Sequence, residues 1–234
     1  MKIDVALLPG TVKERELTST VCIVLDIFRA TSSIVTALTN GCAAILPALS
    51  VEHAQELAKQ SGATLFAGER KSIRIEGYDF GNSPLEFSSA KVKGKQIVMT
   101  TTNGTSAIKS TEGAYRTLIG SFLNAAAVCA DAAASGKDIL IVCAGTDGLF
   151  SLEDSLCAGL LTEKLAALAE TELTDAAQGV LLMYRAAQAN LVASAVTSRN
   201  GKRLQDLDLM DDVRYCLRQD ALTVVPCYAQ GVIR

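Results

Sequence analysis

Acids and arginines recur in one kind of place along this chain: just past a short apolar run, where a strand would hand over to a helix. The first is Leu25-Asp26-Ile27-Phe28-Arg29-Ala30-Thr31-Ser32-Ser33. Asp26 offers anionic oxygen, which suits a hard cation such as Mg²⁺. Arg29 presents a planar fork matched to phosphate or sulfonate oxygens. Ser32 stands in a first helical turn, where free N–H groups and the positive dipole end attract anions. The plain alternative is an N-cap cluster beside a surface ion pair. Ala67-Gly68-Glu69-Arg70 repeats the acid–base pairing and opens a polar, turn-rich stretch that runs to Leu85. A long polar loop in a compact domain is usually functional. Within it, Gly81 and the turn Asn82-Ser83-Pro84 can bring N–H groups to an anion. Otherwise Ser83 simply caps a helix that has Pro84 at its first position.

Two further junctions carry the same kind of residues. Thr100-Thr101-Thr102-Asn103-Gly104-Thr105-Ser106 combines hydroxyls, an amide and a glycine. Small side chains there let backbone N–H groups approach an oxyanion. It is not a P-loop, because the lysine at the required spacing is missing. Cys143-Ala144-Gly145 precedes Glu153 and Asp154, which open a helix. Acids are common there simply because they suit the dipole. As adjacent helical residues they point about 100° apart, so both reach one cation only near the helix end. Cys157, one turn on, could be a nucleophile only if paired with His53, the single histidine. His53 sits in a helical stretch and reads as a surface residue, which also excludes a histidine-rich zinc site.

Each junction alone has a bland explanation. Four together predict a site for a small, doubly anionic ligand, with a divalent cation on carboxylates and the anion on arginines and N–H groups. That is phosphoryl chemistry, in which a metal neutralises oxygens and activates water.

Positioning four such junctions side by side needs a particular scaffold. Apolar runs at Val21–Phe28, Ala43–Leu46, Thr64–Ala67, Gln96–Thr100, Arg116–Gly120, Asp138–Ala144 and Leu222–Val225 read as strands. Stretches of helical spacing at Thr31–Thr39, Val51–Ser61, Thr105–Thr111, Asn124–Ala134, Glu153–Glu170 and Asp175–Ala189 lie between or after them. Continuous apolar strands mean a sheet covered on both faces. Strand alternating with helix predicts an α/β fold, a three-layer α/β/α sandwich whose ligands bind beyond the strands' carboxyl ends. We expect a single unit over residues 1–234, with a soft boundary near residues 120–150 and a C-terminal strand near 222–226 that returns to an earlier sheet.

Composition narrows the class. The chain has 234 residues, is 49% hydrophobic, and carries 22 Lys and Arg against 25 Asp and Glu, a net charge of −3. No basic run is present to grip a phosphate backbone, so nucleic acid is not the expected partner. No apolar run approaches the roughly 18 residues of a membrane span, and the N-terminus has no signal-peptide core. A soluble, cytoplasmic protein is the expectation. Seven cysteines without a CxxC pair read as small core residues rather than a disulfide or metal framework.

The strings VLDIFRATSS, GERKSIRIEGYDFGNSPLE, TTTNGT and CAG followed by EDSLCAG, in this order, resemble the 2-phosphosulfolactate phosphatase family from Asp26 to Val224-Val225-Pro226. The resemblance implies a Mg²⁺-dependent phosphatase that converts (2R)-phospho-3-sulfolactate to 3-sulfolactate and phosphate, a step of coenzyme M biosynthesis. It also implies two related, intimately packed α/β subdomains and a homodimer. Carried onto this sequence it points to Asp26, Arg29, Glu69, Arg70, Asn82, Glu86, Thr101 to Thr105, Glu153 and Asp154. The run Lys71-Ser72-Ile73-Arg74 departs from the family, which tends to place a small residue or glycine soon after the Gly-Glu-Arg. Combining residues and resemblance, we assign catalysis to Asp26, Arg29 and Glu69. We assign the cation to Asp26, Glu69, Glu153 and Asp154, and substrate binding to Ser32, Arg70, Asn82, Thr101, Thr102, Asn103, Gly104 and Thr105. The nucleophile is a water activated by the cation or Asp26 itself. A phosphatase of a related phospho-acid, a non-catalytic anion-binding homologue and a cysteine hydrolase are the alternatives.

Overall fold

The computed structural model describes residues 1–12 and 15–234. In chain order its elements are β1 (Lys2–Ala6), β2 (Thr20–Leu25), α1 (Ala30–Thr39), β3 (Ala44–Pro47), α2 (Val51–Ser61), β4 (Leu65–Arg70) and β5 (Ile73–Arg74). There follow α3 (Ser89–Val92), β6 (Gln96–Thr100), α4 (Gly104–Lys109), β7 (Arg116–Gly120), α5 (Ala125–Ala134), β8 (Asp138–Cys143) and α6 (Leu152–Leu168). The chain ends with β9 (Glu172–Leu173), α7 (Asp175–Ala187), α8 (Leu191–Val196), α9 (Arg199–Asp206), α10 (Met210–Cys216), β10 (Cys227–Ala229) and β11 (Val232–Ile233).

The strands run in the order β5-β4-β6-β3-β11-β10-β7-β2-β8-β1-β9. Two parallel blocks, β4-β6-β3 and β7-β2-β8-β1-β9, are joined by the antiparallel hairpin β10–β11. Both faces are covered, as the apolar strands require. Val21, Ile23 and Leu25 pack with α5, α6 and α7 on one face. Cys22 and Val24 pack with α1 and α4 on the other. This is strand alternation feeding two cores, which is why β2 reads as an unbroken apolar run. The α/β sandwich is therefore present, and among the described residues no helix is long and apolar enough to cross a membrane.

Beyond shifts of a residue or two at element ends, four features differ from the sequence reading. The strand expected over Val21–Phe28 stops at Leu25, so Asp26 to Arg29 form the turn into α1 rather than the end of a strand. Strand β4 runs on through Glu69 and Arg70, because the chain turns tightly at Lys71-Ser72 and pairs back as β5, with Glu69 opposite Arg74. Leu222–Val225 is not a strand. Pro226 has no N–H to give a ladder, and the segment's backbone instead meets the loop after β7: the Leu222 N–H donates to Leu123 O, and Asn124 Nδ2 donates to Val224 O. The return to the sheet comes one step later, as the hairpin β10–β11. β1 was not anticipated, because Lys2 and Asp4 break its apolar run while Ile3 and Val5 enter the core.

In a flat sheet, the six spacings between β4 and β2 would separate them by about 29 Å at ~4.8 Å each. The ends of both strands line one cleft, so the sheet curls to bring the two parallel blocks together over the site.

Candidate active site

The cleft lies beyond the carboxyl ends of β2, β4 and β6 and is narrow, with a cavity volume of about 10 Å³. Asp26, Phe28 and Arg29 come from the turn after β2, Glu69 from β4, and Thr102 and Asn103 from the loop after β6. Ser72 and Asn82 come from the polar loop, and Asn200 and Arg203 from α9.

Asp26 is held by its backbone. Its N–H donates to Thr31 Oγ1 at 3.1 Å, and Thr31 Oγ1 donates back to its carbonyl at 3.0 Å. Its side chain is buried, at 7% exposure. Burial, and then the negative charges of Glu69 and Glu153, push its carboxyl up to about 7, against the pull of the Ala30 and Gly104 N–H groups. Gly104 is required at this point. A Cβ there would stand 2.7 Å from Asp26 Oδ2 and 2.7 Å from Ala30 Cβ.

Glu69 stitches two loops to the cleft. Its Oε2 accepts from Ser72 N at 2.7 Å, and its Oε1 accepts from Thr102 N and Thr102 Oγ1, each at 2.8 Å. The turn it caps is left-handed at both Lys71 and Ser72, with φ of 53° and 68°. That geometry explains why a glycine suits this stretch.

Arg29 is the buried cation. Its Nη1 meets Asp212 Oδ2 at 2.6 Å, with both side chains 3% exposed, and its Nη2 donates to Ser72 O at 2.8 Å. Asp212 in turn accepts from Ser83 Oγ at 2.5 Å. Ser83 also caps the turn at Pro84 through Leu85 N, as the sequence suggested. One aspartate of α10 thus ties Arg29 to the polar loop. Asn82 Oδ1 is buried without a partner among the described residues. Asn200 Nδ2 donates to Phe28 O at 2.5 Å, anchoring α9 to the turn after β2.

The remaining assignments fall into two groups. Asn82, Thr102 and Asn103 line the cleft, and Gly104 adjoins it through Asp26. Ser32, Thr101 and Thr105 are buried and spend their hydroxyls on the local backbone: Ser32 Oγ donates to Ile27 O, Thr105 Oγ1 donates to Thr101 O, and Thr101 Oγ1 accepts from Thr105 N. Arg70 is exposed and turns back on Glu69 O and Thr100 Oγ1. Glu86 closes the loop, accepting from Gly81 N at 2.9 Å.

The four acids expected around a cation lie near enough to repel one another but do not form one ligand set. Among the described residues no three His, Cys, Asp or Glu side chains stand together as a metal cage. Asp154 is a bracket: its Oδ1 accepts from Ile27 N at 2.8 Å and its Oδ2 from Gly145 N at 3.1 Å. Burial, then Glu153 and Asp26, raise its carboxyl well above the usual range. Glu153 is also buried and raised by burial, and its Oε2 has no hydrogen-bond partner. Asp26 and Glu69 alone of the four reach the cleft.

Neither Cys143 nor Cys157 is placed as a nucleophile. Cys143 and Cys157 are fully buried, and burial pushes both well up, away from thiolate. His53 lies on α2, where its Nδ1 accepts from Leu49 N.

Asn200, Arg203 and Asp212 were not found from sequence. Their signal was faint: Ser198 is a capping residue, and Asn200 and Arg203 are three apart on one helical face. Nothing in α10 separates Asp212 from an ordinary first-turn acid.

Comparison with known proteins bears on this geometry. The chain matches the 2-phosphosulpholactate phosphatase family over residues 6–231. A Clostridium acetobutylicum protein named "Probable 2-phosphosulfolactate phosphatase" is 40% identical over 235 residues, covering 100% of both chains. A Caldanaerobacter subterraneus protein of the same name is 41% identical over 227 residues, covering 96% of this chain and 94% of its own. One from Clostridium tetani is 37% identical over 235 residues, again covering 100% of both. With the match spanning the strand ends that build the cleft, the chain belongs to the 2-phosphosulpholactate phosphatase family, a family of phosphoric monoester hydrolases.

Proposed function

We propose that this protein hydrolyses (2R)-phospho-3-sulfolactate to 3-sulfolactate and phosphate, with Mg²⁺ held at Asp26 and Glu69. The observation that carries the reading is the charge at the cleft. A buried Asp26 carboxyl raised to about 7 stands beside Glu69 and Glu153, with the orphaned Asn82 Oδ1 nearby. Carboxylate oxygens whose neighbouring guanidiniums are paired elsewhere suit Mg²⁺, which binds through one or two carboxylates and shares the rest of its shell with water and substrate phosphate. A four-carboxylate cage is not needed for that role. The substrate argues the same way. A phosphate, a carboxylate and a sulfonate would enter a cleft lined by two carboxylates and by two guanidiniums that are already paired, Arg29 with Asp212 and Arg203 with Asp147.

When bound, the cation would withdraw charge from the phosphate oxygens as the ester bond breaks. The chain supplies the rest. Arg29, fixed on two sides by Asp212 and Ser72 O, keeps its other N–H donors for phosphate. Glu69 holds the Thr102 loop and the Ser72 turn in register with Asp26, so the groups that grip substrate are preorganised. Asn82 and Asn103 line the cleft as uncharged polar contacts. Water attacks phosphorus directly, or the Asp26 carboxylate attacks first and water then hydrolyses the aspartyl phosphate. In each case the P–O ester bond breaks and the leaving lactate oxygen takes a proton from water. Asp26→Asn abolishes turnover by either route. The coenzyme M role, the cytoplasmic location and the homodimer belong to the same proposal.

The test is phosphate release from phosphosulfolactate, phospholactate and an aryl phosphate. Turnover that strongly favours phosphosulfolactate supports the reading. Equal turnover of phospholactate keeps a phosphatase and removes the sulfonate from its specificity.

A further inference from the structure

Two guanidiniums line the cleft among the described residues, and they are placed very differently. Arg29 is buried and committed to Asp212 and Ser72 O. Arg203, on α9, has one side-chain partner among the described residues: Asp147 Oδ2 at 2.6 Å, with side-chain exposures of 27% and 39% for the two. A pair this open to water contributes little and exchanges partners readily. A buried pair such as Arg29–Asp212 cannot be exchanged without leaving a charge stranded. Arg70, the other arginine expected to hold substrate, turns back onto its own strand.

Asp147 belongs to the loop between β8 and α6. Two other bonds fasten that loop to the cleft walls: Asp147 N donates to Asn103 Oδ1 at 3.2 Å, and Arg199 Nη1 donates to Thr146 O at 3.0 Å. The loop therefore does not depend on the Arg203–Asp147 pair to stay in place. The pair instead leaves a cation at the cleft wall whose present partner is weakly held.

We propose that Arg203 is a substrate-specificity residue that takes the acid group of the substrate remote from its phosphate, displacing Asp147 as it does so. This rests on the phosphatase reading above. Under it the phosphate lies against Asp26, Glu69 and Arg29, and a sulfonate or carboxylate elsewhere in the cleft needs a cation of its own. Arg203 offers a planar fork suited to either.

The test compares Arg203→Gln, Arg203→Lys and Asp147→Asn, because the proposal gives the two partners opposite signs. With phosphosulfolactate, Arg203→Gln raises KM by about 10-fold or more, the loss expected for one charge-assisted contact. Arg203→Lys restores part of that loss. Asp147→Asn leaves KM unchanged or lowers it, since a competitor for the guanidinium is gone. With an aryl phosphate, which lacks a second acid group, Arg203→Gln leaves KM within about twofold. If the pair only latches the loop, Asp147→Asn and Arg203→Gln raise KM alike on every substrate, and the proposal is overturned. Calorimetry with 3-sulfolactate separates this inference from the reaction itself. Arg203→Gln weakens that binding by about 10-fold even if the wild-type protein turns over none of the phosphate esters. Unchanged 3-sulfolactate affinity overturns the role of Arg203, whatever the activity.

Discussion

Removing Asp212 should damage the protein far more than losing an ordinary acid from a helix's first turn. The Arg29–Asp212 contact is 2.6 Å long with both side chains 3% exposed. Asp212→Ala strands the Arg29 guanidinium in a buried position, a loss of about 3–5 kcal/mol. It also takes the acceptor from Ser83 Oγ, but that hydroxyl can rotate to another partner, so the ion term dominates. For a chain of this size each kcal/mol shifts Tm by about 2–4 °C, which predicts a fall of roughly 6–20 °C. Urea unfolding of the wild type, Asp212→Ala, Arg29→Met and the double variant Arg29→Met/Asp212→Leu closes the cycle. The double variant should be more stable than Asp212→Ala by about 2 kcal/mol or more, because no charge is left unpaired. Its phosphatase activity should nevertheless stay lost, since Arg29 lines the cleft. An Asp212→Ala cost below about 1 kcal/mol, typical of an exposed pair, would refute the reasoning. So would a double variant no more stable than Asp212→Ala.

Gly104→Ala places a Cβ 2.7 Å from Asp26 Oδ2; a shift of Asp26 by about 1 Å should lower kcat by about 100-fold. Gly179→Ala on α7 meets nothing within 4 Å, so it should raise stability by about 0.5–1 kcal/mol and leave kcat alone, as thermal melts and the same assay will show. Because Asp26 is raised to about 7 from its unfolded value of 3.8, the native state binds its proton more tightly between those values. Its contribution to stability is fully present below pH 4 and is lost as pH rises through 7, by about 4 kcal/mol at most in the absence of a cation. Urea midpoints of the Mg²⁺-free protein at pH 4.5 to 8 should show that decline, and Asp26→Asn should flatten it. Lys71, at a φ of 53°, should tolerate glycine with a gain of up to about 1 kcal/mol, whereas Lys71→Val should lose at least as much.

What could be read in the sequence followed the sheet. Asp26, Glu69, Thr102 and Asn103 stand at or just past strand ends, and the rule that ligands gather beyond parallel strands is enough to group them. Ser83 as a cap with Pro84 behind it was legible for a similarly local reason. Local patterns also misled. Thr101 and Thr105 have the residue types of an oxyanion cradle, yet their hydroxyls close the first turn of α4. Glu153 and Asp154 look like paired ligands, yet Asp154 brackets two backbone N–H groups. Whether a polar side chain faces its own backbone or a ligand depends on rotamer and neighbours, which spacing does not encode. Asn200, Arg203 and Asp212 reach the site from helices about 175 to 185 residues after Asp26, through tertiary packing alone. Their helices carry charges that solvent would suit equally well, so nothing local marks them out.

The most direct test of the central claim is phosphate release from (2R)-phospho-3-sulfolactate by wild-type protein and Asp26→Asn, first after EDTA treatment and then with Mg²⁺ restored. The account predicts release by the wild type only with Mg²⁺, and none from Asp26→Asn in either condition. Wild-type turnover undiminished by EDTA would contradict the metal assignment. Tight binding of the substrate with no release in any condition would make this chain an anion-binding homologue rather than a phosphatase.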